Sequence, residues 1–285
     1  MTVQLIIVPY YLGHYNAGMG AGPTHLLDRG IDVRLRQEGH DVVVSTVEYD
    51  GRADHEIGAA FRVNVFLADH VRRSLAAGRF PIVLAGNCNS CLGTIGGLSR
   101  DDLAVVWLDA HGDFHSPDTT QSGFVDGFPL NMAVGRTWKA LLSSIPGFKP
   151  VPEQRVVLAG TRDLDPGEDA AVHESAMHHC DLSALRADSM SALANSLDAV
   201  GAGDAYLHVD LDALDTGDSP ANEYSPQGGL SAEEFARVLT MVGDRLSVRA
   251  AALTCYNPGI DRREAAADTA MDAIARIAAM GDPRS

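Results

Sequence analysis

Residues 103–113 read LAVVWLDAHGD, and this segment indicates the class of fold. Its first six residues are a continuous apolar run without the polar–apolar alternation of a strand that has one face in water. Such a run is typical of a strand buried on both faces of a parallel sheet. Two carboxylates and an imidazole follow at once, and ligands of open parallel sheets bind at the carboxyl ends of strands. The segment therefore predicts a buried strand that leads directly into a functional site.

Similar short apolar runs recur along the chain and alternate with longer segments of helical periodicity. The predicted strands are Gln4 to Pro9, Asp41 to Val47, Phe80 to Ala85, Leu103 to Leu108, Arg155 to Ala159, Ala205 to Val209 and Val248 to Leu253. The predicted helices are Ile57 to Leu75, Leu182 to Val200, Ala232 to Leu246 and Arg262 to Ala279. This alternation predicts an α/β fold with three α-β-α layers and a mostly parallel central sheet. No repeat or linker divides the chain, so residues 1–285 are predicted to be one domain, with a frayed end at 281–285.

The overall charge limits the classes of partner. The formal net charge is −16, whereas nucleic acids and anionic membranes require a basic surface. The acidic balance gives a cationic small-molecule substrate a mild attractive field. The N-terminal run Val3 to Tyr11 lacks the basic region and cleavage site of a signal peptide. With only four cysteines, the chain is predicted to be cytoplasmic with reduced thiols.

A second polar cluster, Asp210-Leu211-Asp212, follows the predicted strand Ala205 to Val209. If the two strand ends are neighbours, a small volume contains four carboxylates and one imidazole, which belong to Asp109, Asp113, Asp210, Asp212 and His111. Carboxylates that close together cannot all stay ionised unless a positive charge compensates them. Oxygen and imidazole ligands suit Mn²⁺, Mg²⁺, Fe²⁺ or Zn²⁺. Four carboxylates balance about two divalent ions, which indicates a two-metal site.

A single aspartate after a strand has a simpler interpretation as a helix cap or turn residue. That interpretation is the prediction for Asp215, three residues beyond Asp212. It does not account for two clusters that each follow a buried strand.

The two clusters resemble the signature motifs of the arginase (ureohydrolase) family. Residues 109–113, DAHGD, are similar to the family's Asp-Ala-His-x-Asp motif, and residues 208–215, HVDLDALD, are similar to its Ser-x-Asp-x-Asp-x-x-Asp motif, with His208 in place of serine. Residues 20–23 and 228–230 also match glycine-containing segments of the family. Within the family the chain resembles arginases and N-hydroxyarginine hydrolases. The resemblance implies two divalent ions, with Mn²⁺ favoured, hydrolysis of C–N bonds in linear amidines, and a homo-oligomer, a trimer or hexamer.

The resemblance also implies a set of site residues. The metal ligands would be Cys88, Asp109, His111, Asp113, Asp210 and Asp212. Asp109 and Asp210 would bridge or chelate the ions. His111 and Asp212 would bind one ion, and Cys88 and Asp113 would bind the other. Asp113 would also move a proton from the metal-bridging hydroxide to the leaving amine. Ser122, Asp165 and Glu168 would hold an amino-acid head group, although Asp165 also suits a helix cap.

Cys88 stands where the family has a histidine ligand. A thiolate is softer than imidazole and shifts the metal preference toward Zn²⁺ or Fe²⁺. A buried cysteine without a metal bond is the alternative.

Cys255 stands where arginases have the glutamate that accepts the substrate's guanidinium. A carboxylate accepts two charge-assisted hydrogen bonds, and a thiol cannot. The contact with the substrate at Cys255 is therefore predicted to favour a guanidine that is neutral at pH 7.

Asp126 and His115 depart from the family as well. Asp126 replaces a proton-relaying histidine and is predicted to relay protons itself or to replace the missing cation partner. His115 replaces an asparagine that contacts the substrate's α-carboxylate, and as an imidazolium it would bind that anion. Ordinary loop roles for both residues are the alternative.

The sequence thus predicts a two-metal hydrolase of a modified guanidino amino acid, an N-hydroxy- or acyl-guanidine. Three alternatives stay open: hydrolysis of another amide or imine group, a true arginase, and a non-catalytic metal-binding relative. The remaining histidines, His173, His178 and His179, with Cys180, are predicted to form a solvated helix-to-loop surface.

Overall fold

A parallel sheet forms the middle layer of the protein, and its strand order brings the polar strand ends together. The computed structural model describes residues 1–51, 53, 55–201, 203–215, 217 and 220–281. Its strands are β1 Thr2–Val8, β2 Tyr10–Tyr11, β3 His14–Tyr15, β4 Asp41–Thr46, β5 Phe80–Ala85, β6 Ala104–Leu108, β7 Val156–Ala159, β8 His178–Cys180, β9 Asp204–Asp210 and β10 Ser247–Thr254. Within these residues, eight strands form one sheet in the order β4-β1-β5-β10-β9-β6-β7-β8, and β2 and β3 form a small antiparallel pair. Within the described residues, all neighbouring strands of the eight-stranded sheet pair in parallel.

Helices cover both faces of the sheet. Their bounds are α1 Gly22–Asp28, α2 Ile31–Gln37, α3 Glu56–Ala76, α4 Cys91–Leu98, α5 Pro129–Ala133, α6 Lys139–Leu142, α7 Pro166–His173, α8 Leu182–Arg186, α9 Ser191–Ala199, α10 Ala232–Arg245 and α11 Ala265–Met280. Two apolar clusters separate them from the sheet: one contains residues of α1, α2 and α8 to α11, and the other contains residues of α3 to α7. Alternate residues of each strand enter opposite clusters, since successive side chains point to opposite faces. The structure is therefore the predicted three-layer α-β-α sandwich.

The central strands form because their side chains are apolar on both faces. All residues of β5 and of β6 are buried, and burial of a large apolar side chain is worth ~1.5–3 kcal/mol. The edge strand β4 has only intermediate or exposed residues. Of the helices, α10 begins with a capping box in which Ser231 and Glu234 satisfy each other's backbone N–H groups.

The predicted strands are all present, and the bounds Phe80 to Ala85 are those of β5. Two predictions were wrong. The helix predicted over Leu182 to Val200 is interrupted by a 3₁₀ turn at Ala187–Met190, where Asp188 and Ser189 have φ of 41° and 56°. Aspartate and serine side chains compete with helical hydrogen bonds, which explains the break after α8.

The second error concerns the histidine-containing segment predicted to be a solvated helix-to-loop surface. His178 to Cys180 instead form the edge strand β8, which pairs with β7. The Cys180 side chain is buried, and His179 is half-buried with its Nε2 atom 2.6 Å from the Thr161 hydroxyl. A three-residue edge strand is too short to produce a readable hydrophobic period.

None of the helices within the described residues has the length and apolar character needed to cross a membrane. The predicted frayed end at 281–285 lies, apart from Gly281, outside the described residues.

Candidate metal centre and substrate pocket

The central four strands of the sheet, in the order β5-β10-β9-β6, supply the polar site. Cys88 follows β5, Cys255 follows β10, Asp210 ends β9, and Asp109 follows β6. The strands are parallel, so these four ends lie at the same edge of the sheet. The two carboxylate clusters predicted to be neighbours do adjoin, because β6 pairs with β9 from Ala104 to Leu108.

The side chains at this edge form three overlapping groups in which potential ligand atoms lie within 4.8 Å of one another. The groups are Asp109, His111 and Asp212; Cys88, Asp109 and Asp113; and Cys88, Asp210 and Cys255. In the first group His111 Nδ1 lies 3.1 Å from Asp212 Oδ2 and 3.5 Å from Asp109 Oδ1. The second group contains the other predicted pair, Cys88 and Asp113. Each group contains the number and type of donors that divalent cations bind in proteins.

Crowding and burial oppose ionisation of the carboxylates. Burial and the Asp212 carboxylate raise the pKa of Asp109 to about 7. Burial, followed by the charges of Asp109, Asp126 and Asp210, raises the pKa of Asp113 well above its usual value. The pKa of Asp210 is likewise raised, by burial and by Asp212 and Asp109. Cations at these positions would relieve this repulsion.

Asp212 is the exception in the cluster. Burial alone would raise its pKa, but the His111 imidazole and the Ala110 amide outweigh burial and lower the pKa to about 2. Burial would lower the pKa of His111, and the carboxylates of Asp212 and Asp109 raise it instead. The His111 ring thus lies between the carboxylates of Asp109 and Asp212, where a positive charge is favoured.

Asp113 provides the clearest indication that the donors fit a cation. Its Oδ2 atom is buried and makes no hydrogen bond, and an unpaired buried polar atom costs about 1–3 kcal/mol. Its backbone is left-handed, with φ of 49°, a mildly strained conformation that aspartate adopts more readily than most residues other than glycine. Strain of this kind is concentrated at functional sites.

The Cys88 thiol lies among polar groups rather than in an apolar pocket. Its Sγ atom lies 2.9 Å from Asp210 Oδ2, 3.1 Å from His208 Nε2 and 3.2 Å from Thr254 Oγ1. Cys255 Sγ is 3.4 Å away. Burial raises the pKa of both thiols, so a metal would be needed to keep them as thiolates at neutral pH.

Asp126 is anchored to the segment that carries Cys88. Its Oδ2 atom accepts hydrogen bonds from Asn87 Nδ2 at 2.7 Å and Cys88 N at 3.1 Å. Its Oδ1 atom accepts from Asn89 N at 2.9 Å and Asn89 Nδ2 at 3.0 Å. Burial raises its pKa in spite of these donors. Four hydrogen bonds to one short segment make Asp126 a support for the position of Cys88.

A cavity of about 240 Å³ opens onto the ligand groups and extends to the side chains predicted to hold a head group. His115 Nε2 lies 3.1 Å from Asp165 Oδ2 and 3.9 Å from Glu168 Oε2. Asp165 also caps α7 through the amides of Gly167 and Glu168, which confirms the helix cap, while its role in holding a head group stays a prediction. Glu168 is buried and accepts a hydrogen bond from Phe114 N. These three side chains line the same cavity as Cys255.

Ser122 is placed differently from the other predicted head-group residues. It lies in the exposed loop between β6 and α5, where its hydroxyl accepts a hydrogen bond from Phe124 N. It is absent from the residues that line the cavity, which are Met19, Cys88, His111, Asp113, His115, Phe124, Asp126, Gly127, Asp163, Asp165, Glu168, Asp210, Asp212, Asn222, Tyr224 and Cys255.

Sequence reasoning did not assign roles to several side chains that support the site. Trp107 donates from Nε1 to Asp109 Oδ2 at 3.0 Å, and the spacing of two residues along β6 could have revealed that they share a face. Asn87, beside Cys88, joins Leu12 N to Asp126. Asp215 accepts from Gly217 N in an exposed turn, in agreement with its prediction as a turn residue.

Comparison with known proteins agrees with this arrangement. The family model described as "Arginase family" matches residues 1–280. The chain belongs to the arginase family. The arginase of Bacillus caldovelox is 30% identical over 290 residues, with 94% of this chain and 95% of the relative covered. The arginase of Bacillus subtilis (strain 168) is 29% identical, with 96% of each chain covered.

A solved arginase structure shows the same likeness. The Bacillus cereus arginase superimposes with a TM-score of 0.88 at 26% identity, with 99% of this chain and 98% of that chain covered. Members of the arginase family are hydrolases acting on C–N bonds in linear amidines, and this chain is such a hydrolase. Its departures at Cys88, His208 and Cys255 therefore lie within a family scaffold that spans almost the whole chain.

Metal loading is expected to stabilise this arginase-family protein. A ligand at ~100 times its dissociation constant adds about 2.7 kcal/mol to the free energy of unfolding. For a chain of this length that corresponds to a rise in Tm of about 5 °C. Thermal unfolding with a chelator and after addition of Mn²⁺ or Zn²⁺ measures the shift. An unchanged Tm at saturating metal would contradict a buried cation site.

The contribution of Asp109 to the stability of the metal-free protein is expected to fall as pH rises from about 4 to 7. The pKa of Asp109 is about 7 in the folded protein and ~3.9 in an unfolded chain. Between these values the folded state binds more protons, so ionisation favours unfolding as pH rises. Metal affinity changes in the opposite direction, because protons compete with the cation. The Tm would be measured across this pH range with and without metal. The difference between the two Tm values should increase as pH rises, and a decrease would contradict the assignment of Asp109 as a metal ligand.

Proposed function

We propose that the protein hydrolyses the C–N bond of a guanidino amino acid whose guanidine is uncharged at neutral pH, such as an N-hydroxy- or acyl-guanidine. The observation that carries this proposal is the thiol of Cys255 at the cavity end next to the ligand groups. The arginases to which the chain is similar carry that name for activity on arginine, a cationic substrate. A neutral guanidine needs no carboxylate partner at this position.

A cationic guanidinium would be poorly accommodated by the remaining acids. Asp126 was predicted as a replacement for the carboxylate missing at Cys255, but its two oxygens already accept four hydrogen bonds. The other acids of this end, among them Asp113 and Asp210, belong to the potential ligand groups. Leaving one partner of a buried charge pair unpaired costs about 2–5 kcal/mol. This cost supports a neutral substrate over arginine.

The metal centre would comprise two divalent cations held by Cys88, Asp109, His111, Asp113, Asp210 and Asp212. When bound, such ions lower the pKa of a coordinated water toward ~7 and so supply a nucleophile at neutral pH. Mn²⁺ suits the oxygen and imidazole donors around His111. Asp109 belongs to two of the ligand groups, which supports a bridging role for its carboxylate, whereas Asp210 would bind at the position that Cys88 and Cys255 share.

The remaining side chains bind the substrate and move protons. Asp113 would take a proton at Oδ2, the atom without a hydrogen bond, and deliver it to the leaving amine. The pair of Asp165 and Glu168 would bind an α-ammonium group, and His115 between them would bind the α-carboxylate. Asp126 would act as a positioning residue for Cys88 rather than as a relay.

Product release from a small panel of substrates tests the proposal. The metal-loaded protein would be incubated with N-hydroxyarginine, arginine, agmatine and simple guanidino acids, and urea and hydroxyurea would be measured separately. We expect hydroxyurea from N-hydroxyarginine as the dominant product. A binding-only relative would release neither product, and that result would refute the proposed activity.

A further inference from the structure

Three residues at which this chain departs from the family motifs form one cluster, in which the first contacts the other two. They are Cys88, which stands for a histidine, His208, which stands for a serine, and Cys255, which stands for a glutamate. Cys88 Sγ is 3.1 Å from His208 Nε2 and 3.4 Å from Cys255 Sγ. The residues come from three different strand ends, so sequence proximity does not explain the cluster. The three changes are best understood as parts of one site.

We propose that Cys88 and Cys255 bind the same cation as two thiolates, together with Asp210, and that this position takes Zn²⁺ in preference to Mn²⁺. This inference rests on the proposed metal-dependent function and deepens it. It gives Cys255 a role as a metal ligand at the cavity wall, where its sulfur still offers no carboxylate to a guanidinium. The second position, at His111, keeps oxygen and imidazole donors only.

The geometry of the ligand atoms supports a shared ion. One sulfur from each cysteine and a carboxylate oxygen of Asp210 lie within 4.8 Å of one another, and all three residues are buried. This spacing suits a single cation between the donors, because Zn–S bonds are ~2.3 Å and Zn–O bonds are ~2.0–2.2 Å long. Thiolates select Zn²⁺ over Mn²⁺, whose preferred donors are oxygens.

The backbone at Cys255 is fixed in an unfavourable conformation. Its φ is 61°, in the left-handed region, where a residue other than glycine or asparagine is strained by ~1–2 kcal/mol. Its N–H donates to Ala85 O at 3.2 Å, and its carbonyl accepts from Asn222 Nδ2 at 2.9 Å. Residues on both sides thus hold the strained conformation that places Cys255 Sγ beside Cys88 Sγ. Strain maintained in this way indicates a functional position.

His208 completes the environment of the Cys88 sulfur. Its Nδ1 atom lies 2.8 Å from the Tyr206 hydroxyl, and its ring stacks on Trp107 with centroids 3.6 Å apart. If Tyr206 donates to Nδ1, the proton of the neutral ring is on Nε2 and is directed at Cys88 Sγ. Hydrogen-bond donors to a ligand atom are the outer-shell contacts that fix the orientation and basicity of metal ligands. The serine that is typical of the family at this position has no ring N–H that could reach Cys88 Sγ in this way.

Binding the ion requires both thiols to lose their protons. Each Zn²⁺ that enters would replace two S–H protons, which leave to solvent, so binding at this position releases about two protons per ion. A disulfide between the two cysteines is the competing outcome, because their sulfurs are already neighbours. Their separation of 3.4 Å is well above the ~2.03–2.05 Å of an S–S bond.

Cobalt reports directly on thiolate ligands, because Co²⁺ bound to sulfur shows a ligand-to-metal charge-transfer band in the near ultraviolet. The full-length protein would be stripped of metal and titrated with Co²⁺, with Cys91→Ala as the matched control, since Cys91 is equally buried but lies outside the ligand groups. We expect a charge-transfer band in the wild type and the control, about half the intensity in Cys88→Ser and in Cys255→Ser, and none in the double variant. After dialysis against equimolar Zn²⁺ and Mn²⁺, the wild type should retain about one Zn²⁺ per chain, and each single serine variant should bind Zn²⁺ at least ~10-fold more weakly.

The wild-type measurements keep the inference testable if a variant fails to fold. Binding of about two Co²⁺ without a charge-transfer band, or a band that Cys255→Ser leaves unchanged, would overturn the inference and leave the proposed hydrolase intact. A Cys88–Cys255 disulfide in metal-stripped protein kept under reductant, detected as the loss of two hydrogens by mass spectrometry, would also overturn it. Absence of any bound Co²⁺ would overturn the inference together with the metal-dependent function on which it rests.

Discussion

N-hydroxyarginine is expected to be hydrolysed with a kcat/KM at least ~30-fold higher than that of arginine by the metal-loaded protein. The expectation follows from the thiol at Cys255, which offers no charge-assisted pair to a guanidinium. Leaving a buried charge unpaired costs about 2–5 kcal/mol, which corresponds to a factor between ~30 and several thousand. Initial rates over a range of each substrate, with hydroxyurea and urea quantified, measure the ratio.

Restoring a carboxylate should change this preference. Cys255→Glu is expected to raise kcat/KM for arginine relative to N-hydroxyarginine by at least ~10-fold, since charge-assisted hydrogen bonds contribute about 1.5–3 kcal/mol. Cys180→Ser is the control, because Cys180 lies in the edge strand β8, four strands from β10. Urea release from arginine by the wild type at a rate similar to hydroxyurea release from N-hydroxyarginine would refute the argument from Cys255.

Asp113→Asn is expected to lower kcat by at least ~100-fold, since general acid–base catalysis contributes about 10²–10⁴-fold. The variant keeps the shape of the side chain and removes the group that can accept and return a proton. The unpaired Oδ2 atom of Asp113 and its left-handed backbone single it out among the carboxylates. Steady-state rates with N-hydroxyarginine as substrate measure the loss.

Metal content must be measured alongside, because Asp113 also belongs to a ligand group. A fall in kcat at unchanged metal content assigns the effect to proton transfer, whereas a parallel loss of one ion assigns it to metal binding. Asp215→Asn is the matched control, since Asp215 lies in an exposed turn. Activity of Asp113→Asn within about tenfold of the wild type would show that the proton role belongs elsewhere.

The layers of the fold were predictable because their signal is local. Continuous apolar runs such as Phe80 to Ala85 mark strands buried on both faces, and their polar successors mark the carboxyl edge. The interruption at Asp188 and Ser189 and the edge strand at His178 to Cys180 were missed. Both depend on pairing and packing with distant residues, which a hydrophobic period does not encode.

The sequence predicted which residues belong to the site better than it predicted what each residue does there. The motifs placed Asp109, His111 and Asp113 beside Asp210 and Asp212, as the pairing of β6 with β9 requires. The contact between Cys88 and Cys255 could not be read from positions 167 residues apart. The four hydrogen bonds that tie Asp126 to residues 87–89 were likewise beyond any local pattern, because they join separate loops.

The number of metal ions that the protein binds tests the central claim most directly. Protein stripped with a chelator would be reconstituted with Mn²⁺ and Zn²⁺, freed of excess metal and analysed by elemental mass spectrometry. The carboxylates, imidazole and thiols of the three ligand groups predict about two ions per chain. Fewer than about one ion per chain under saturating conditions would contradict a two-metal hydrolytic centre.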